Sequence, residues 1–383
     1  MRIVARSTLN TAAPGTDRAA ATFPTFTHLA DGSLLATYSI GSTKDSDDVT
    51  VEVRRSIDGG ATWSDPKRPF ETTLLGRRGS LKFAPVTRLG GDRLIVACLW
   101  IDREAFPGKA LFNSDTEGCL PMAILVADSA NAGRTWTPWR LVPMPPDVGP
   151  PSLTTGILRF PSGRLVLSVE TNKSYLDASP WRQRVVHLSS DDGGATWSAP
   201  ATVVADPSRQ LANWDQRGAV GPDGRLVSFA WVYDFAAVVY RNIRRRISTD
   251  DGRSFGPPTD LGFADQPGHP AILPDGRVVL AWVDRFGTCS IRARIASSID
   301  APFDPTSEIV LFDAVDGSTG TAGTAGTGSP SGTTGDALVE MQTWSYGLCH
   351  ADTLPNGDVG VVHYAPGESG GIEVRWLRMT IDG

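Results

Sequence analysis

The chain has 383 residues, of which 40% are hydrophobic and 20% are charged, with 40 glycines, 28 prolines and 11 tryptophans. This composition argues against disorder and is typical of an all-β repeat protein with many tight turns. The net charge of −6, with basic residues clustered only at 244–246, argues against a nucleic-acid partner.

No apolar run approaches the length of about 18 residues that a membrane span requires, and residues 1–6 lack the apolar stretch of a signal peptide. The four cysteines show no metal-type spacing and are too few for a disulfide scaffold. We therefore expect a cytoplasmic protein with free thiols, no metal, no cofactor and no membrane contact.

One unit recurs along the chain: an apolar segment, a turn that contains glycine, and a second apolar segment. The six copies cover residues 26–38, 86–100, 157–170, 219–231, 271–284 and 351–364. The segments alternate and are rich in Val, Leu, Ile and Trp, with bends such as Asp31-Gly32 and Asn356-Gly357, which favour β-hairpins. We predict six hairpins.

A second motif, Ser-x-Asp-x-Gly-x-Thr-Trp, follows most of the hairpins. Its four clear copies lie at 56–63, 129–136, 190–197 and 248–255, and a degraded copy starts at Ser298. The Asp carboxylate suits backbone N–H groups, the glycine permits a positive φ, and the tryptophan packs between repeats. These acids are predicted to hold turns and not to catalyse.

The motif resembles the Asp-box, or bacterial neuraminidase repeat, of the sialidase superfamily, and the resemblance covers nearly the whole chain. It implies one all-β, six-bladed β-propeller domain over residues 1–383, with the hairpin as strands A and B and the Asp-box in the C–D turn. The A–B and C–D turns then share one face, so functional residues are expected on the opposite face. The last unit offers only three strands, so we predict that residues 2–6 complete blade six and remove an exposed edge.

Residues 313–336 are low in complexity, with Gly, Thr, Ser and Ala dominating 318–335. A tract of this kind has too little apolar surface to pack. We predict a flexible loop between units five and six, in which deletion of 318–335 leaves thermal stability nearly unchanged.

The resemblance also implies a tyrosine nucleophile paired with a Glu, an Asp general acid/base, and three arginines that bind a substrate carboxylate. Tyr346, which precedes the last hairpin, matches the nucleophile. Asp215, within Asn213-Trp214-Asp215-Gln216, stands where the family has the Glu. Asp45 in the first B–C loop matches the acid/base, with Asp47 in reserve.

The arginine clamp does not match, because Thr22 and Trp231 stand where two arginines are expected. A bidentate carboxylate site needs arginine geometry, which other residues on this face would supply. The predicted substrate-binding residues are Asp47, Arg217, Arg241, His269 and Arg285. Other polar residues expected on this face are Asp102, Glu104, Glu170, Asp234 and His350, and Glu170 or Asp102 would serve a two-carboxylate mechanism instead.

Three functions follow, each with a carbohydrate partner. The first is an exo-acting glycoside hydrolase of the sialidase type, which cleaves a terminal sugar, acidic or not, by a retaining mechanism. The second is a non-catalytic glycan-binding propeller, which the lost arginines favour. The third is a uronate lyase, in which Tyr346 or a histidine abstracts a proton. The sugar, the linkage and the oligomeric state stay open.

Overall fold

The fold was analysed in a computed structural model, which describes residues 1–314 and 333–381. Its regular structure is almost entirely β-strand. The first strands in chain order are β1 (Arg2–Thr8), β2 (Ala20–His28), β3 (Leu34–Gly41), β4 (Thr50–Ser56), β5 (Thr73–Leu74), β6 (Arg77–Lys82), β7 (Val86–Gly90), β8 (Arg93–Asp102), β9 (Met122–Ser129), β10 (Arg140–Val142), β11 (Ser152–Leu153), β12 (Leu158–Arg159), β13 (Leu165–Glu170), β14 (Arg184–Ser190) and β15 (Ala201–Ala205).

The remaining strands belong to the second half of the chain. They are β16 (Leu211–Val220), β17 (Leu226–Asp234), β18 (Val239–Tyr240), β19 (Arg244–Ser248), β20 (Thr259–Asp260), β21 (Gln266–Pro267), β22 (Ala271–Ile272), β23 (Val278–Asp284), β24 (Ser290–Ala296), β25 (Ile309–Asp313), β26 (Gly347–Thr353), β27 (Val359–Pro366) and β28 (Ile372–Thr380). Helix α1 spans Thr334–Glu340, and short 3-10 turns lie at Pro146–Val148 and Pro305–Ser307. No helix in the described ranges is long and apolar enough to cross a membrane.

The strands form six blades around one axis. The inner strands A are, from blade one to blade six, β2, β6 with β7, β11 with β12, β16, β21 with β22, and β26. Each inner strand packs against those of the two neighbouring blades, and β26 packs against β2, so the ring is closed. The predicted all-β, six-bladed propeller is confirmed.

The ring is closed within blade six by the first strand of the chain. β1 pairs antiparallel with β28 from Arg2 opposite Thr380 to Thr8 opposite Arg375. β1 is therefore the fourth strand of that blade, as the sequence predicted. An unpaired edge of β28 would present free N–H and C=O groups, and β1 covers it.

The Ser-x-Asp turns have the bonding that their sequence predicts. In the third copy, Asp192 accepts hydrogen bonds from the Thr196 N–H at 2.9 Å and the Thr196 hydroxyl at 2.6 Å, and Ser190 accepts one from the Gly194 N–H at 2.8 Å. The Thr196 hydroxyl and N–H hold the pKa of Asp192 below its usual value. The aspartates of this motif are structural.

At both ends of the segment predicted as a loop over 313–336, the described residues belong to regular structure, since Asp313 ends β25 and α1 begins at Thr334. Residues 315–332 lie outside the described residues, but Thr333 and Asp336 form a capping box that starts α1. The Thr333 hydroxyl accepts from the Asp336 N–H at 3.2 Å, and Asp336 accepts from the Thr333 N–H at 2.8 Å. The biased composition of this tract concealed the capping signal of the helix. Deletion of 318–335, which was predicted to leave stability nearly unchanged, would remove the first residues of a helix with buried side chains.

Candidate active site

Four A strands contain a non-glycine residue with a left-handed backbone: Phe23 (φ 52), Phe83 (φ 55) between β6 and β7, Asp215 (φ 47) and Leu348 (φ 41). In blades one, four and six this residue lies where the register of the A–B pair shifts. Such conformations are uncommon, and bulges redirect side chains. All four residues line one cavity, so the bulges aim side chains at the axis.

The cavity has a volume of about 150 Å³. The starts of A strands, the ends of B strands, the B–C loops and α1 line it, and the Ser-x-Asp turns do not. It therefore lies on the face where the sequence predicts functional residues. Its polar lining consists chiefly of Lys44, Asp45, Lys82, Glu170, Asp215 and Arg217.

Asp215 lies in the cavity as predicted, and each of its carboxylate oxygens has one donor. Arg217 donates from Nη2 to Oδ1 at 3.1 Å, and Gln266 donates from Nε2 to Oδ2 at 2.5 Å. Arg285 Nη2 donates to Gln266 Oε1 at 3.1 Å. Because a guanidinium only donates, the Gln266 amide must turn its NH₂ group toward Asp215. Gln266 had no signal in the sequence, since only the ring brings blade five beside blade four.

Tyr346 does not reach this cavity. Its hydroxyl is buried beside the Cys289 thiol, and burial raises the pKa of Tyr346 to about 12. The centroid of its ring lies 4.8 Å from the guanidinium carbon of Arg285, and that carbon lies 4.0 Å from the centroid of the Trp344 ring. Asp215 bonds Arg217 and Gln266 and makes no hydrogen bond to Tyr346 in the described part of the chain. The expected Tyr346–Asp215 pair is wrong, because left-handed Leu348 breaks the strand alternation and takes the axial position itself.

Tyr364, near the end of β27, lines the cavity instead. It pairs with Gly347, where an added Cβ would lie 3.3 Å from the Tyr364 hydroxyl and 2.7 Å from Arg285 Nη2. The glycine therefore admits both groups. Burial raises the pKa of Tyr364, Arg285 opposes this rise, and the charges of Asp215 and Asp45 add to it. Tyr364 was not predicted from the sequence, because it belongs to no motif and stands only near the end of a strand B.

Asp45 also lines the cavity as predicted, and it forms an ion pair with buried Lys82. Burial lowers the pKa of Lys82, and Asp45 partly offsets this effect. Asp47 has no place in the cavity lining: it is half-exposed and lies 3.7 Å from Nη1 of Arg103. Of the two acids of this loop that the sequence proposed, only Asp45 faces the cavity.

Glu170 ends β13 and lines the cavity with a carboxyl that is 5% exposed. Its Oε1 accepts hydrogen bonds from the Gln216 N–H at 2.9 Å and the Thr154 hydroxyl at 3.0 Å. Burial, followed by the charge of Asp215, raises the pKa of Glu170 to about 8. At neutral pH the cavity therefore contains a carboxylic acid that holds its proton.

The remaining predicted binding residues divide into two groups. Arg217 lines the cavity, and Arg285 lies directly behind it at Gln266 and Gly347. Arg241 instead pairs with Asp234 at 2.8 Å outside the cavity lining. His269 stacks on His350 with ring centroids 4.2 Å apart, and its burial lowers its pKa to about 4. Arg241 and His269 were wrongly assigned to the cavity, because strand position alone does not fix how deep a side chain lies along the axis.

No group of three or more His, Cys, Asp or Glu side chains in the described residues is placed to hold a metal ion. All four cysteines are buried free thiols. The polar chemistry available at the cavity is therefore that of carboxyl groups, cationic side chains and a phenol.

Fold and cavity together define a six-bladed β-propeller with a small polar and aromatic cavity at one end of its axis. Neither a protein-family model nor a curated protein matches the chain. A solved protein of unknown function from Dyadobacter fermentans has a TM-score of 0.71 and 19% identity, with 98% of this chain and 99% of that chain covered.

Two solved enzymes share the fold over similar lengths. The intramolecular trans-sialidase from Ruminococcus gnavus has a TM-score of 0.63 and 12% identity, covering 98% of this chain and 97% of its own. The α-L-arabinanase from Penicillium chrysogenum, complexed with arabinobiose, has a TM-score of 0.65 and 16% identity, with 98% of each chain covered. Solved neighbours thus include propeller glycoside hydrolases, and at these identities the likeness shows the fold alone.

Proposed function

We propose that this protein is an exo-acting glycoside hydrolase of the sialidase type that releases one terminal sugar from a glycan. The observation that carries the proposal is that Glu170, Asp215 and Tyr364, from blades three, four and six, line one small cavity. Glycoside hydrolysis needs a proton donor and a nucleophile on opposite sides of the scissile bond, and this set contains both. The trans-sialidase and arabinanase neighbours support a carbohydrate as substrate.

The protonated Glu170 is the proposed general acid. It gives its proton to the glycosidic oxygen while the Tyr364 oxygen bonds to the anomeric carbon and the C–O bond to the leaving group breaks. Asp215, which lines the same cavity and whose charge acts on Tyr364, is the proposed acceptor of the phenolic proton. Water then attacks the anomeric carbon as the bond from that carbon to the Tyr364 oxygen breaks; Glu170 accepts a proton from the water, and Asp215 returns the phenolic proton to Tyr364. The anomeric configuration is retained after two displacements.

This scheme changes two assignments made from the sequence. Tyr364 replaces Tyr346 as the proposed nucleophile, because Tyr364 faces the cavity and Tyr346 does not. Asp45 is the second candidate for the proton donor, but its carboxylate already forms an ion pair with Lys82. Glu170→Gln and Asp45→Asn together identify the donor. Activity should fall at alkaline pH as the donor loses its proton, so only the variant that lacks the donor should lose this pH dependence.

The cations around the cavity favour a negatively charged sugar. Lys82 and Arg217 line it and Arg285 lies behind it, whereas burial lowers the pKa of Lys44, a further lining residue, well below its usual value. The negative charges at the cavity are those of Asp45 and Asp215, since Glu170 keeps its proton at neutral pH. An acidic terminal sugar would balance this excess of cations, even though Thr22 and Trp231 replace two arginines of the family clamp.

The test is hydrolysis of a panel of 4-methylumbelliferyl glycosides, including an α-sialoside, a β-glucuronide and an α-L-arabinofuranoside. The wild type should release fluorophore from at least one of them. Tyr364→Phe should lose most turnover and keep binding, while Tyr346→Phe, the matched control, should keep both.

Other results would refute parts of the proposal. Near-normal turnover by Tyr364→Phe would contradict the tyrosine nucleophile. A product that absorbs in the ultraviolet would identify a lyase, and binding across a glycan panel without turnover would identify a glycan-binding propeller.

A further inference from the structure

Helix α1 and the residues that follow it to Trp344, together called the α1 segment (334–344), contact three blades other than their own. The Thr334 hydroxyl lies 3.3 Å from the Tyr233 hydroxyl of blade four. Gly335 packs against the B–C loop of blade two so closely that an added Cβ would lie 1.9 Å from the Ser114 carbonyl oxygen. Lys44 of blade one donates to the carbonyl oxygens of Met341 at 2.6 Å and Trp344 at 3.2 Å.

These contacts fix the course of the segment. It belongs to the connection between β25 of blade five and β26 of blade six, and blade two lies opposite blade five in a ring of six. A segment that reaches from there to blades one, two and four must cross the end of the axis. The segment therefore covers the cavity, and Leu338, Met341, Gln342 and Trp344 line it from above.

The underside of the segment continues an aromatic wall of the cavity. Leu338 and Trp344 are buried in one cluster with Trp181, Trp214 and Trp231. Lys44 packs against the other end, since its Nζ lies 5.9 Å from the Trp344 ring centroid and 5.4 Å from that of Tyr364. The segment is thus a packed part of the site, held from both sides of the axis.

We infer that the α1 segment determines the substrate: it closes one end of the cavity, so that a single terminal sugar fits and a glycan that continues in both directions does not. The volume of about 150 Å³ agrees with this, since pockets for larger ligands measure about 300–1,000 Å³. The inference rests on the proposed hydrolase function.

Gly335→Val tests the inference without changing a residue that lines the cavity. The new side chain meets the Ser114 carbonyl and must displace the segment. On an oligosaccharide of at least three units of whichever sugar proves active, the wild type should release only the terminal monosaccharide. The variant should also release longer fragments, with the ratio of internal to terminal cleavage raised at least about tenfold. Thr343→Ala, an exposed change in the same segment, should behave as the wild type.

A second readout follows the segment itself. Acrylamide quenching of tryptophan fluorescence should increase in Gly335→Val and in Lys44→Met, because Trp214, Trp231 and Trp344 lose their cover. An active wild type with increased quenching but an unchanged cleavage ratio in both variants would overturn the inference alone. Unchanged quenching in both variants would show that these contacts do not hold the segment and would also overturn it. A wild type inactive on every glycoside would refute the proposed function, and the inference with it.

Discussion

Replacing Glu170 by glutamine separates the charge of this side chain from its shape. The amide keeps an oxygen for the Gln216 N–H and the Thr154 hydroxyl, and the wild-type carboxyl is already uncharged at pH 7 because its pKa is raised to about 8. Because an unfolded glutamate is ionised at pH 7 and a glutamine never is, we expect Glu170→Gln to raise the unfolding free energy at pH 7 by about 3 kcal/mol. Turnover should fall by roughly 10²- to 10⁴-fold, as for loss of a general acid.

The pH dependence gives a second magnitude. A buried acid with a raised pKa stabilises the fold while it is protonated, and this stabilisation is lost as the pH rises through the folded-state pKa. Between pH 7 and pH 9 a carboxyl with a pKa of about 8 goes from about nine-tenths to about one-tenth protonated, whereas an unfolded glutamate is ionised at both pH values. The wild type should therefore lose about 1.4 kcal/mol of unfolding free energy through this group, and Glu170→Gln should lose none.

Urea unfolding followed by tryptophan fluorescence at pH 7 and pH 9 measures this difference. Glu368→Gln, an exposed change, should follow the wild type. If Glu170→Gln loses as much stability between the two pH values as the wild type, Glu170 is ionised at neutral pH and cannot be the proton donor. The wild-type kcat/KM should also fall as the pH rises above about 8.

Deleting residues 2–8 removes β1 and exposes the edge of β28, so the unfolding free energy should drop by about 3 kcal/mol or more in urea titrations, and an unchanged midpoint would contradict closure by β1. Asp192→Ala removes the acceptor of the Thr196 N–H and should lower the Tm, whereas its exposed neighbour Asp191→Ala should not; equal Tm values would count against the structural role of this motif. Gln266→Leu breaks the link between Arg285 and Asp215 and should reduce kcat roughly 10- to 100-fold with the Tm little changed; full activity would mean that Asp215 needs no such support.

The fold could be predicted from the sequence because its signals are local and repeated. Hairpin bends such as Asp31-Gly32 and turns such as Ser190–Trp197 depend on residues a few positions apart, and β1 was recognised because the last unit lacked a strand. Asp45 and Asp215 were found because they sit at fixed offsets from these landmarks, and both line the cavity.

The rest of the site depends on geometry that no short pattern contains. The left-handed backbone at Leu348 decides that Tyr346 faces blade five, and a φ angle at a leucine has no sequence signal. Glu170 becomes a proton-holding acid only through its depth in the assembled ring. Gln266 gains its role from a neighbouring blade, and the Thr333 cap of α1 was hidden in a tract of biased composition.

The pairing of β1 with β28 joins residues far apart in the chain, since Arg2 and Thr380 are 378 positions apart. Closing so long a loop costs conformational entropy before the stabilising contacts between β1 and β28 can form, and such long-range contacts slow folding. During synthesis β1 is made before the other three strands of blade six and must wait for β28, so blade six is expected to be the last of the six blades to be completed. A permuted chain in which β28 is linked to β1 and which is opened in a loop between two blades would carry every blade as one continuous segment, and it should close its ring faster.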